Sequence, residues 1–217
     1  MKARTMSWIA AAVLAVGATR SAAAQAWNYP SMHHPHIMQR ELNVGLASGQ
    51  GTVLFGQWRE GIAEGTELGF EAGIADPDGG DTRLLIGGGV AMRVAEATTT
   101  MPLDILVTAG AYPSFGDPVN FLRVPFGATL GRRIGFPQSE LAITPYVHPR
   151  VSLDFCLGDD SECGGDKSDI AINFDLGADF ELNRQLSLRF SLLFPGGDYF
   201  DDTAFGLSLA WKPAAAR

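Results

Sequence analysis

Asp169-Ile-Ala-Ile-Asn-Phe-Asp-Leu-Gly-Ala-Asp-Phe-Glu-Leu-Asn183 alternates without a break. Ile170, Ile172, Phe174, Leu176, Ala178, Phe180 and Leu182 fall on one face. Asp169, Asn173, Asp175, Asp179, Glu181 and Asn183 fall on the other, among small residues. Side chains in a strand change face at every residue, so the stretch reads as one strand with an apolar and a charged face. At about 3.3 Å per residue it reaches roughly 50 Å. Strands of soluble proteins usually stop after about five or six residues, whereas a tilted strand crossing a bilayer needs about 9 to 11.

The same pattern recurs along the chain. Ten strands are expected: 41–47, 52–60, 66–74, 83–94, 103–112, 121–134, 140–155, 169–183, 185–194 and 203–211. Gly, Pro, Asp and Asn punctuate the gaps, as turns require. The second strand alternates impurely, with Leu54 and Trp58 on one face and Val53 and Phe55 on the other. The connections sort into two classes. Those at 75–82, 113–120, 156–168 and 195–202 carry three, one, four and three acids, while the alternate set holds only Glu64 and Glu96. Membrane barrels pair short turns at one end with longer loops at the other. The phase of this asymmetry puts both termini at the short-turn end and requires an even strand number.

The first 26 residues read as a signal peptide. Lys2 and Arg4 precede the apolar run Trp8–Val16, and Ala24-Gln25-Ala26 is a small-residue cleavage pattern. Its removal moves the formal charge from −8 to −11, which argues against nucleic acid as a partner, since phosphate binding needs a basic face. Residues 27–40 carry no strand pattern and read as an N-terminal periplasmic tail, 41–211 as the barrel and 212–217 as a short C-terminal tail. After the signal segment only Lys167 and Lys212 remain beside eleven arginines. A soluble surface normally mixes in many lysines, so the strand charges are expected somewhere confined.

Alternation alone fits either a soluble barrel with an apolar interior or a membrane barrel with an apolar exterior. The polar face decides. It holds small residues together with Glu67, Glu71, Arg83, Arg93, Asp104, Arg123, Arg133, His148, Arg150, Asp154, Asp175, Asp179 and Arg189. Acids and arginines at that density suit a crowded lumen, where the guanidinium fork pairs with carboxylates. The opposite face is nearly free of charge, as lipid contact demands. The expected fold is an all-β, transmembrane, antiparallel up-and-down barrel of about ten strands, with eight as the fallback. Neutralising a single lumen acid such as Asp175 is expected to be mild.

The end of the chain, Phe205-Gly-Leu207-Ser-Leu209-Ala-Trp211, resembles the C-terminal signature of small bacterial outer-membrane β-barrels of eight to ten strands. The resemblance implies a cell outer-membrane location, contact with outer-membrane lipid, and reading of Phe205, Leu207, Leu209 and Trp211 by the barrel-assembly machinery. Six residues follow Trp211 here, where that family usually stops.

Chemistry-bearing candidates are few. Cys156 and Cys163 are the only cysteines, and export through an oxidising compartment makes a disulfide in the longest external loop the default. His148, Ser152 and Asp154 share one face of the seventh strand and suggest a hydrolase, but residues four apart on a strand lie about 13 Å apart. His33, His34 and His36 beside Met32 and Met38 are candidate ligands for copper or zinc, with a solvated tail as the plainer reading. Asp76, Asp78 and Asp81 offer carboxylates for calcium without the EF-hand spacing. No cofactor motif is present, and Gly87-Gly88-Gly89 lies inside a strand, where it eases crowding. The expectation is a non-enzymatic structural or surface-interaction barrel with acidic external loops and a plugged lumen. The alternatives are a narrow channel for small solutes, a barrel enzyme acting on lipid or peptide, and a secreted soluble ligand-binding barrel.

Overall fold

Strands Arg40–Gly49 (β1), Gly51–Ala63 (β2), Thr66–Pro77 (β3), Arg83–Ala95 (β4), Asp104–Phe115 (β5) and Asn120–Gly131 (β6) follow one another in a computed structural model. Ile134–Gly135 (β7), Ala142–Leu157 (β8), Ser168–Glu181 (β9), Leu186–Phe194 (β10) and Ala204–Trp211 (β11) complete the order. The structure describes residues 31–49, 51–78, 80–159, 163, 167–196 and 202–213. The signal-peptide reading of residues 1–26 therefore lies outside the described residues. Sequence neighbours pair antiparallel from β1 to β6 and from β7 to β11, β1 pairs with β11, and β6 pairs with β8 to close the sheet. The two residues of β7 continue the β6 register on β8 after Arg132 and Arg133, since Gly131 opposes Tyr146 and Ile134 opposes Ile143. The architecture is a closed antiparallel barrel of ten long strands rather than eight. Closure matters because it leaves no unpaired strand edge among its members.

Inside and outside are inverted relative to a soluble barrel. Ile170 and Ile172 are 66% and 69% exposed, and Leu46, Phe70, Ile74, Phe126 and Leu209 also face outward. Arg83, Arg123, Arg189, Glu41, Glu67, Asp175 and Asp179 are buried inside. On β8 the inward set is Ala142, Thr144, Tyr146, His148, Arg150, Ser152, Asp154 and Cys156. An apolar belt of this extent has no place in water, and apolar-out, polar-in strands are the membrane-barrel arrangement. Phe205, Leu207, Leu209 and Trp211 all point outward into that belt.

The bore has two layers. Toward the end with the acidic loops, Ala47, Val53, Phe55, Ala75, Leu85, Val119, Phe121, Cys156 and Cys163 form an apolar cluster, which Met32 also joins. This explains the impure alternation of β2: Val53 and Phe55 face the bore and Leu54 and Trp58 face out. Cys156 and Cys163 are disulfide-bonded. The bridge is not confined to a loop outside the barrel, as the sequence suggested. Cys156 belongs to β8 and faces inward, so the disulfide roofs the bore. The layer nearer the termini is polar and ionic. Room for bulky rings comes from inward glycines. A side chain at Gly177 would collide with the ring of Tyr146, and one at Gly87 with the ring of Tyr112.

Candidate functional site: the bore and the segment that fills it

Residues 31–39 do not form a solvated periplasmic tail; they run up the inside of the barrel. The sequence shows no strand pattern here, and none forms over 31–39. The segment is held instead by contacts to six different strands. At its base Gly61 N donates to Gln39 O at 3.1 Å, and Met38 N donates to Glu67 Oε2 at 2.9 Å. His36 Nδ1 stands 3.8 Å from Asp104 Oδ2 on β5, and His34 Nε2 stands 3.6 Å from Glu41 Oε2 on β1. His33 Nε2 lies 3.2 Å from Glu67 Oε1 on β3. The carbonyl of Met32 accepts from Arg59 Nη2 on β2 and from Arg189 Nη1 on β10, both at 2.9 Å. Ser31 accepts from Gln57 Nε2 through its carbonyl, and its hydroxyl shares a 2.6 Å hydrogen bond with His148 Nδ1 on β8. Met32 and His34 are 0% and 1% exposed.

The physical reason is the wall of the bore. Arg59 and Arg189 are buried with their forks inward, and a buried cation needs every donor matched. The Met32 carbonyl supplies an acceptor that the strands themselves do not. Burial pushes the His33 imidazole down to about 4, with Arg59 reinforcing and Glu67 opposing. Burial likewise pushes His36 down to about 4, with His34 adding to it and Asp104 opposing. Both rings are therefore neutral at pH 7.

Around the segment the charges pair in a network. Arg189 reaches Glu41 with both Nη atoms at 3.0 Å and Asp179 with Nε at 3.0 Å. Arg59 Nη1 stands 3.5 Å from Glu41, and Lys212 Nζ stands 3.8 Å from Asp179. Arg123 and Asp154, opposite each other on β6 and β8, form a bidentate pair at 2.7 Å and 2.7 Å. Arg150 Nε lies 3.1 Å from Asp175 Oδ2, which also faces His148. Arg83 takes another role: it bonds Ser114 Oγ and the carbonyls of Asp117 and Val119 and lies over the Phe121 ring, drawing the 115–120 connection inward.

The sequence placed most of this network but not all of it. Glu67, Arg83, Asp104, Arg123, His148, Arg150, Asp154, Asp175, Asp179 and Arg189 are buried in the bore, and Glu71 is half-buried there. Arg93 and Arg133 are not. They lie at the rim where the ladders end, Arg93 beside Glu96 at 3.6 Å and Arg133 with Glu181 at 2.8 Å, both accessible. Glu41 and Arg59, the partners of the segment, were missed. Both sit near strand ends, where alternation alone gives few residues to fix a face. The mildness expected of neutralising Asp175 does not survive its environment. Its carboxylate is fully buried against Arg150 and His148, so neutralisation would strand a buried guanidinium.

The hydrolase set is not assembled. Ser152 Oγ accepts from Asn173 Nδ2 at 3.0 Å and Asp154 is held by Arg123, while His148 meets Ser31, Asp175 and Thr108 Oγ1 at 2.9 Å. Among the described residues no three His, Cys, Asp or Glu side chains are placed to hold a metal ion, which includes His33, His34, His36, Asp76, Asp78 and Asp81. Beside the segment lies a small cavity of about 60 Å³, lined among others by Arg59, Glu67, Glu71, Tyr112, Arg123 and Arg150. That is space for a few water molecules.

No protein-family model matches the chain and no curated protein matches it. Solved structures similar to it are bacterial outer-membrane β-barrels. A NanC porin is 11% identical at a TM-score of 0.46, with 80% of this chain and 100% of that one covered. The β domain of the Bordetella autotransporter BrkA is 12% identical at 0.46, covering 80% and 98%. A bacterial polysaccharide outer-membrane secretin is 10% identical at 0.46; it covers 77% of this chain, which spans only 58% of the secretin.

Proposed function

We propose that the protein is an exported, integral outer-membrane barrel that is non-enzymatic and closed by its own N-terminal segment, with its acidic loops presented to the exterior. The observation that carries this reading is the seating of Met32 between Arg59 and Arg189, deep in the bore. A ten-stranded barrel has a narrow interior that side chains largely fill, and a peptide segment added to it leaves only a small cavity. The non-enzymatic part is supported by how the bore's acids are used. Glu41, Glu67, Asp154, Asp175 and Asp179 each face an arginine or a segment histidine across an ionic contact. The outward Phe205, Leu207, Leu209 and Trp211 support recognition by an assembly machinery and contact with outer-membrane lipid. The orientation, termini inward and acidic loops outward, rests on the long-loop rule.

Purified protein in planar bilayers at neutral pH tests the reading. The expected record is flat, with no stable single-channel steps. Small, reproducible steps would promote the alternative of a narrow channel, for which the cavity beside the segment is the supporting observation. Large steps of porin size would refute the closed barrel.

A further inference from the structure

We propose that segment 31–39 is an acid-released plug, whose histidines hold it in the bore while neutral and unseat it when protonated. This rests on the reading of a segment-filled bore. All four histidines of the chain lie at this seat. Three are on the segment, and the fourth, His148, bonds Ser31 from the wall. His33 faces Glu67 of β3, Arg59 of β2 and His148 of β8. His34 faces Glu41 of β1, Asp179 of β9 and the ring of His36, at a centroid distance of 5.6 Å. His36 faces Asp104 of β5, Glu181 of β9 and Lys212. His148 faces Asp175 of β9, Arg150, Thr108 of β5 and Arg59.

The carboxylates facing these rings already serve other donors, at least in part. Glu41 spends both oxygens on Arg189, Glu67 accepts from Met38 N through Oε2 and turns Oε1 to His33, and Asp104 accepts from Ala97 N. A new imidazolium would lose its hydration in the buried bore, and protonation would set His34 against His36 and His33 against His148 as like charges at ring-centroid distances of 5.6 and 6.3 Å. The segment makes no strand pairing, so it can leave without breaking a ladder of the barrel. Its anchors are single side-chain contacts and the Gly61 to Gln39 backbone bond at its base.

The direction follows from linkage. Seated, His33 and His36 titrate at about 4; in solvent an imidazole titrates at about 6.5. The seated state thus binds fewer protons. Seating is complete above the solvent value and is lost as pH falls toward the seated value. Two such groups shift the equilibrium by up to about a hundredfold per pH unit inside that window.

The full chain in detergent micelles, carrying Met32→Cys, tests this. The native cysteines are joined to each other, so the introduced thiol is the one that reacts. The probe is 4,4′-dithiodipyridine, a disulfide that thiols attack even in acid with release of 4-thiopyridone, and Thr99→Cys on the exposed β4–β5 connection is the reference. Near pH 7.5 the Met32→Cys thiol should react at least roughly tenfold more slowly than the reference, and the ratio should climb toward one near pH 4.5. Heat-modifiable electrophoretic mobility should show an intact barrel at both values. The combined His33→Gln, His34→Gln, His36→Gln variant should stay protected throughout, and His33→Gln or His36→Gln alone should each flatten the climb. An unchanged ratio in the native-histidine protein overturns the proposal, as does an equal climb in the glutamine variants. Equal rates already at neutral pH would instead show that the segment is never seated, which removes the filled-bore reading itself.

Discussion

Arg189 and Glu41 meet inside the barrel across an intervening strand. Arg189 lies on β10 and Glu41 on β1, with β11 between them, yet both Nη atoms of Arg189 reach the two carboxylate oxygens at 3.0 Å. Neither side chain has any exposure. This pair, with Asp179 on the far side of Arg189 and the Met32 carbonyl above it, ties the barrel seam near β1 and β11 to the N-terminal segment. Arg189→Leu would leave Glu41 and Asp179 as buried charges with a depleted set of cations. The expected cost is about 3 to 5 kcal/mol, measured by urea titration of the barrel in detergent. The double variant Arg189→Leu, Glu41→Leu should recover part of that loss; a double variant as damaged as the sum of the singles would deny the coupling.

The inverted faces give a second prediction. Leu176→Arg places a charge on the lipid side of β9 and should cost roughly 2 to 4 kcal/mol of folding in lipid vesicles. Ser208→Ala is the inward control. Its hydroxyl has no hydrogen-bond partner among the described residues, so its removal should stay within about 0.5 kcal/mol. Equal penalties for the two would mean the facing is wrong.

Most of the barrel was legible in the sequence, and the reason is the solvent. Lipid outside and a crowded ionic bore inside impose opposite demands on consecutive residues, so Asp169–Asn183 and the seventh strand declare their faces one residue at a time. All ten strands lie where the alternation put them, within a few residues. The segment was illegible for the same reason. It has no ladder and no period, and its key contact is the Met32 carbonyl, a group every residue carries. Val53 and Phe55 misled in a different way: they are apolar yet face inward, because apolar side chains pack together in the bore toward the acidic loops. A signal did exist in the three clustered histidines, but a run of histidines in sequence does not say whether it faces a metal, water or a wall of carboxylates.

Ring seats predict a packing coupling. Gly177→Val would drive a side chain into the ring of Tyr146, one of the closest approaches in the bore. Overpacking of that kind should cost about 1 to 3 kcal/mol. Adding Tyr146→Ala should make the valine nearly neutral, a rescue readable in the same urea titration; no rescue would place the clash elsewhere.

Topology is tested from outside. A peptide tag inserted after Gly165, in the connection between β8 and β9, should be reached by antibody on intact cells, since loops at that end tolerate insertion. Detection only after permeabilising the outer membrane would reverse the orientation.

The most direct test of the account is whether residues 31–39 occupy the bore in the membrane. Photoreactive benzoylphenylalanine in place of His33, which borders the cavity, can be activated in isolated outer membranes at neutral pH before the protein is extracted. Mass spectrometry should find it joined within the same chain to peptides of β3 or β8, where Glu67 and His148 face it. Recovery of the reagent unattached, or attached only to lipid or to other chains, would contradict the filled bore.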